Sequence, residues 1–112
     1  MSIRRILLAG FLASGFAASA NAQCDTRFTL LNNSSETIRE FYFGPSSRSS
    51  WGADRLGQKV LPHTSSMNFA TRFAGAYDFR IVWANGAAAQ LMGVNICTTN
   101  QIVATRSGLV AR

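Results

Sequence analysis

A tryptophan, a carboxylate and a guanidinium stand close together at Trp51, Asp54 and Arg55, between Gly52 and Gly57. In this spacing they suit a ligand platform, in which the indole stacks on a sugar or a base and the charged groups fix its polar atoms. The same residues are more ordinarily packing, with Trp51 capping one end of a core and Asp54 accepting from nearby backbone N–H groups. Asp78 and Arg80 share a strand face and either meet a polar ligand or pair across strands. Arg48, Arg55, Arg72 and Arg80 would bind an anion if the fold gathered them on one face, and are otherwise separately solvated charges.

Other chemistry is poorly represented. His63 is the only histidine, and it follows Pro62 at a turn, where histidine tolerates a positive φ. None of the serines lies in a G-x-S-x-G elbow, so no nucleophile is marked. Two cysteines and one histidine do not make a four-ligand metal site. The acids that remain after Ala22 (Asp25, Glu36, Glu40, Asp54 and Asp78) are too scattered for calcium. The sequence therefore points to no catalytic residue, no metal and no cofactor.

The elements that position these residues begin after an export signal. Arg4 and Arg5 precede the apolar run Ile6 to Ala18, and Ala20-Asn21-Ala22 supplies a small-x-small end. These are the three parts of a secretory signal, with cleavage between Ala22 and Gln23. The apolar run is shorter than the roughly 20 residues a stable span needs, so no membrane insertion is expected once the signal is removed. Gln23 before Cys24 argues against lipidation, and Arg4-Arg5 is only a partial match to a twin-arginine signal. The chain thus divides into a signal peptide, 1–22, and a single β domain, 23–112.

Cleavage leaves 90 residues and lowers the formal net charge from +6 to +4. That size is one domain, near the lower limit at which a core suffices alone. The charge gives a mild preference for anions and does not make a nucleic-acid binder. Cys24 and Cys97 are the only cysteines, and an oxidising compartment permits them to pair. Such a bridge would close nearly the whole domain, and with no C-x-x-C pair thiol exchange is not indicated.

Short aromatic and β-branched runs alternate with Gly, Ser, Asn and Pro clusters, and no segment has sustained helical periodicity. Strands are expected at 27–31, 37–43, 60–61, 67–70, 77–83, 91–97 and 101–105, with a fraying tail after them. In the second, Ile38 is out of phase with Phe41 and Phe43, which predicts a bulge near Arg39-Glu40. Asn32-Asn33-Ser34-Ser35 reads as a turn; its two formal N-x-S sequons carry little weight in a bacterial-type exported chain. Asn85-Gly86 is the strongest hairpin signal. The fold class is all-β, a small antiparallel sandwich or barrel of about seven short strands.

Thr37-Ile38, Phe41 to Ser46, Trp51-Gly52, Asp54 to Gly57, Leu61-Pro62, Tyr77 to Arg80 and Val94 to Cys97 together resemble one group of proteins. These are small exported bacterial proteins without an established function, some of them labelled by a twin-arginine pathway signal or as argininosuccinate lyase. The resemblance covers roughly residues 28 to 97 and implies an exported β domain; it brings no catalytic residues. Argininosuccinate lyase is a large helical cytoplasmic tetramer with sites between subunits, an architecture that a domain of this size does not supply. The chain departs from the group's pattern at His63, where glycine is common, and at Gly75-Ala76, where a cysteine often precedes the Tyr-Asp pair. The second departure leaves Cys97 either to find Cys24 or to stay free.

These readings order the functional expectations. The first is a non-enzymatic binding module of the periplasm or the secreted fraction, a monomer presenting the Ser-rich loop and Trp51-Asp54-Arg55 to an envelope protein or glycan. The alternatives are a structural or stress-related envelope protein without a discrete site and, last, a small hydrolase or lyase.

Overall fold

The computed structural model describes residues 24–112. The expected signal, with its cleavage point at Ala22 and Gln23, lies outside them. Seven strands run in chain order: β1 (Arg27–Asn32), β2 (Ile38–Pro45), β3 (Ser66–Ala70), β4 (Ala76–Trp83), β5 (Ala88–Asn95), β6 (Gln101–Thr105) and β7 (Gly108–Ala111). A 3-10 turn, Ile96–Thr98, joins β5 to β6.

The strands form two sheets packed as a sandwich, one in the order β3-β1-β6-β7 and the other β2-β4-β5. Alternation along the strands creates the core between them. Phe28 and Leu30 of β1 face Phe41 and Phe43 of β2 and Tyr77, Phe79, Ile81 and Trp83 of β4. Phe28 is the hub, with ring centroids 5.2 Å from Phe43, 5.4 Å from Phe79 and 5.8 Å from Phe69. The first two contacts are edge-on, the geometry that the ring quadrupoles favour. Cys24 and Cys97 form a disulfide that ties the segment before β1 to the turn after β5.

The expected bulge is present: the β2–β4 register shifts between Ile38 and Glu40, which returns Phe41 and Phe43 to the inner face. Asn85-Gly86 does turn the chain from β4 into β5, with Gly86 at φ 91°. Other expectations are corrected. Val60-Leu61 is not a strand; Leu61 makes only an isolated bridge to Ile38. The tail does not fray, because β7 pairs antiparallel with β6. Nor is the sandwich wholly antiparallel: β1 and β6 pair in parallel, since β6 returns along β1 after crossing from the other sheet. At the Pro62 turn, the residue with positive φ is Thr64 (φ 68°), not His63, which is exposed at the preceding position.

Asn32, which the sequence places in a turn, is the last residue of β1 and fully buried. Its Nδ2 donates to the carbonyls of Glu36 and Leu61, at 2.7 and 2.9 Å. Its Oδ1 accepts from the backbone N–H and the hydroxyl of Ser34. The indole N–H of Trp83 in turn donates to Ser34 Oγ at 2.9 Å. Every polar atom of this buried amide is matched, so the group specifies the β1–β2 connection at little desolvation cost.

Replacing Asn32 with Ala orphans these donors and acceptors and is expected to destabilise the fold by about 3 kcal/mol or more. Asn33→Ala, at an exposed neighbour, is expected to stay within about 0.5 kcal/mol of the parent. Urea denaturation distinguishes the two; equal effects would contradict the assignment.

Candidate functional site

The segment after β2 does two jobs, and the division separates residues that the sequence places side by side. Its second half, from Asp54 to Leu61, covers the free edge of β2. Asp54 Oδ1 accepts from the backbone N–H groups of Phe41 and Leu56, both at 2.9 Å. The N–H of Arg55 donates to the carbonyl of Phe41, and Ile38 and Leu61 exchange both of their backbone bonds. The Arg55 guanidinium donates to the carbonyl of Phe43 at 3.0 Å and stacks 4.1 Å from that ring's centroid. An unpaired strand edge is a template for association, and this segment blunts it. Asp54 is thus committed to backbone amides, the packing role its type also allowed.

The first half, from Ser46 to Gly52, folds over the outer face of the β2-β4-β5 sheet. Asp78 points outward there and is nevertheless 9% exposed. The reason lies in β5. The β4–β5 register slips at Asp78, so that Met92 and Gly93 together oppose this one residue. Gly93 takes φ 69°, a conformation that favours glycine, and its N–H turns onto Asp78 Oδ1 at 2.8 Å. Ser46 donates its hydroxyl to the same oxygen at 2.7 Å. One carboxylate oxygen therefore fastens the loop to the bulge.

Between loop and sheet lies a cleft of about 170 Å³, walled by Trp51, Arg48, Ser49 and Ser50 on the loop side and by Asp78, Gln90 and Met92 on the sheet side. Trp51 is half-buried and Met92 is 57% exposed. The volume is below the roughly 300–1,000 Å³ of sites for larger ligands and suits a single ring. The arrangement offers one aromatic face, a guanidinium, an amide and hydroxyls.

Trp51, Asp54 and Arg55 therefore do not converge. Trp51 lines this cleft, Arg55 lines a neighbouring one and Asp54 faces β2. Neither Asp78 nor Arg80 makes a cross-strand ion pair among the described residues. Arg80 stands opposite Tyr42 and Gln90, one row along the sheet. There the Tyr42 hydroxyl donates to the Glu40 carboxylate. That bond holds the Glu40 carboxyl below its usual range and, as the largest cause, raises the Tyr42 phenol above its usual value of 10. At the N-terminal end, the hydrogen bonds from Arg27 lower Asp25 to about 2. Gln90, Met92 and the bulge glycine are site residues that the sequence reading missed; no local motif marks them, because the bulge exists only once β4 and β5 pair.

Among the described residues no group of three or more His, Cys, Asp or Glu is placed to hold a metal, and no helix is long and apolar enough to cross a membrane. Comparison with protein-family models, with curated proteins and with solved structures returns no match to the chain.

Two outcomes follow. Asp78→Ala leaves the Gly93 N–H and the Ser46 hydroxyl without their acceptor and is expected to cost about 2–3 kcal/mol, whereas Asp78→Asn, which keeps an acceptor oxygen, costs less. Urea denaturation would contradict this if both variants matched the parent. Ultraviolet titration should show Tyr42 ionising above pH 10, and Glu40→Gln should bring it back toward 10. With the folded phenol raised, the bond's stabilisation is present below pH 10 and fades as pH rises through the raised value. With the folded Glu40 lowered, its share is present above about 4.5 and fades as pH falls through the lowered value. Identical Tyr42 titration in the parent and in Glu40→Gln would contradict the assignment.

Proposed function

We propose that the chain is an exported, non-enzymatic binding module of the bacterial envelope, acting in the periplasm or the extracellular medium. In this reading the cleft under Trp51 takes one ring of an envelope glycan. The observation that carries it is Trp51, half-buried in the wall of a ring-sized cleft whose opposite side carries Asp78, Gln90 and Met92. An indole covers the apolar face of a sugar, while amide, guanidinium and hydroxyl groups meet its hydroxyls. A disulfide-closed domain suits an oxidising compartment, and the signal pattern at Arg4 to Ala22 supports export. The resemblance to small exported bacterial proteins supports the same placement.

Asp54 and Asp78 bind backbone amides of their own chain, which supports a non-enzymatic role for both. The competing reading, a structural envelope protein without a discrete site, draws support from the commitment of Asp54 and Arg55 to the β2 edge.

The test is a fluorescence titration of the exported protein with N-acetylglucosamine oligomers and soluble peptidoglycan fragments. Binding is expected to change tryptophan emission, and Trp51→Phe should abolish the change, because Trp83 is buried and bonded to Ser34. Gln90→Ala is expected to weaken binding by about tenfold, the worth of one well-made polar contact. Glycan affinities unchanged in folded Trp51→Ala and Gln90→Ala would overturn the reading, as would the absence of any glycan response.

A further inference from the structure

A second cleft, of about 330 Å³, lies on the other side of Arg48, and its lining includes Arg48, Arg55 and Arg72 but no acidic residue. Of the four arginines that would bind an anion if gathered on one face, three line this cleft together; Arg80 stays on the outer sheet face. Among the described residues none of the three is in a salt bridge. Bringing like charges together without a counter-charge works against folding, and they would be relieved by an anion.

Of the three guanidiniums, Arg55 is held in place, while Arg48 and Arg72 are exposed beside it. Arg55 is fixed by the Phe43 carbonyl and by stacking on that ring. The stem of Arg48 passes over Gly44, 3.8 Å from where a Cβ would stand. Arg72 lies 5.4 Å over the ring of Phe73, which is 63% exposed. The backbone beneath that pair is pinned, because Thr71 and Tyr77 both donate their hydroxyls to the Phe73 carbonyl, at 2.7 and 2.9 Å. Guanidiniums meet tetrahedral oxyanions with paired, charge-assisted hydrogen bonds, and the exposed ring offers an apolar surface beside them.

We propose that this cleft binds a phosphate ester, with Arg48, Arg55 and Arg72 on the phosphate oxygens and Phe73 against the group that carries it. The site does not rest on the glycan reading, since Arg72 and Phe73 lie outside the cleft under Trp51.

Calorimetry at low ionic strength tests this on the full exported protein with inorganic phosphate, glucose 1-phosphate and vesicles of phosphatidylglycerol in phosphatidylcholine. Arg72→Gln and Arg48→Gln are each expected to weaken phosphate binding by about tenfold, with Arg106→Gln, outside the cleft, leaving it unchanged. Phe73→Ser should weaken glucose 1-phosphate and leave inorganic phosphate unaffected. Arginine-dependent binding confined to vesicles assigns the same site to a lipid-borne phosphate, and arginine-dependent binding of glucose 1-phosphate assigns it to a soluble or glycan-borne one. Equal affinity in Arg72→Gln, Arg48→Gln and Arg106→Gln, or no binding in any arm, overturns the proposal. Trp51→Phe should leave phosphate binding intact while abolishing the glycan response, so the two readings fail separately.

Discussion

Asp78 Oδ1 accepts from Ser46, 32 residues earlier, and from Gly93, 15 residues later. The surface that the candidate site occupies depends on these two bonds. Because Tyr77 and Phe79 must face the aromatic core, Asp78 has to face outward. A carboxylate on an outer sheet face is ordinarily solvated. Here the bulge in β5 presents a backbone donor to it and the Ser-rich loop closes over it, so that the charge is buried with partners. The loop is thereby held at a fixed height above the sheet, and the space left beneath it is the cleft lined by Trp51.

The rest of the segment between β2 and β3 solves a different problem. β2 is an edge strand rich in phenylalanine, and an uncovered edge of that kind invites association. Asp54, Arg55 and Leu61 supply the missing partners to Ile38, Phe41 and Phe43. This use of Asp54 and Arg55 turns the peptide so that Arg55 opens on one side of Arg48 and Trp51 on the other. Stability and the two clefts therefore come from the same run of residues, each residue serving mainly one purpose.

What the sequence makes legible follows from where each signal resides. The alternation of Tyr77, Phe79, Ile81 and Trp83, the phase slip after Ile38 and the Asn85-Gly86 turn are local, and all three survive in the fold. The β7 strand is short, and its existence depends on the edge that β6 offers. The parallel β1–β6 pairing is a property of the tertiary path alone. Asn32 misleads because an Asn-Asn-Ser-Ser run has the chemistry of a surface turn, and only the arrival of Leu61 and Trp83 converts it into a buried network. At the site, Trp51, Asp54 and Arg55 are neighbours in sequence but diverge in space, whereas Arg72 joins Arg48 and Arg55 across β3 with no sequence signal beyond residue type.

The central claim is that the carboxylate of Asp78 locks the loop and the bulge into one preformed surface. Amide hydrogen exchange at Gly93 tests it most directly, since that N–H sits on an exposed glycine where no strand partner protects it. The account predicts exchange slowed to near the rate of the core strands in the parent protein, and fast exchange in Asp78→Ala. A Gly93 amide that exchanges in the parent as freely as those of an open loop would contradict it.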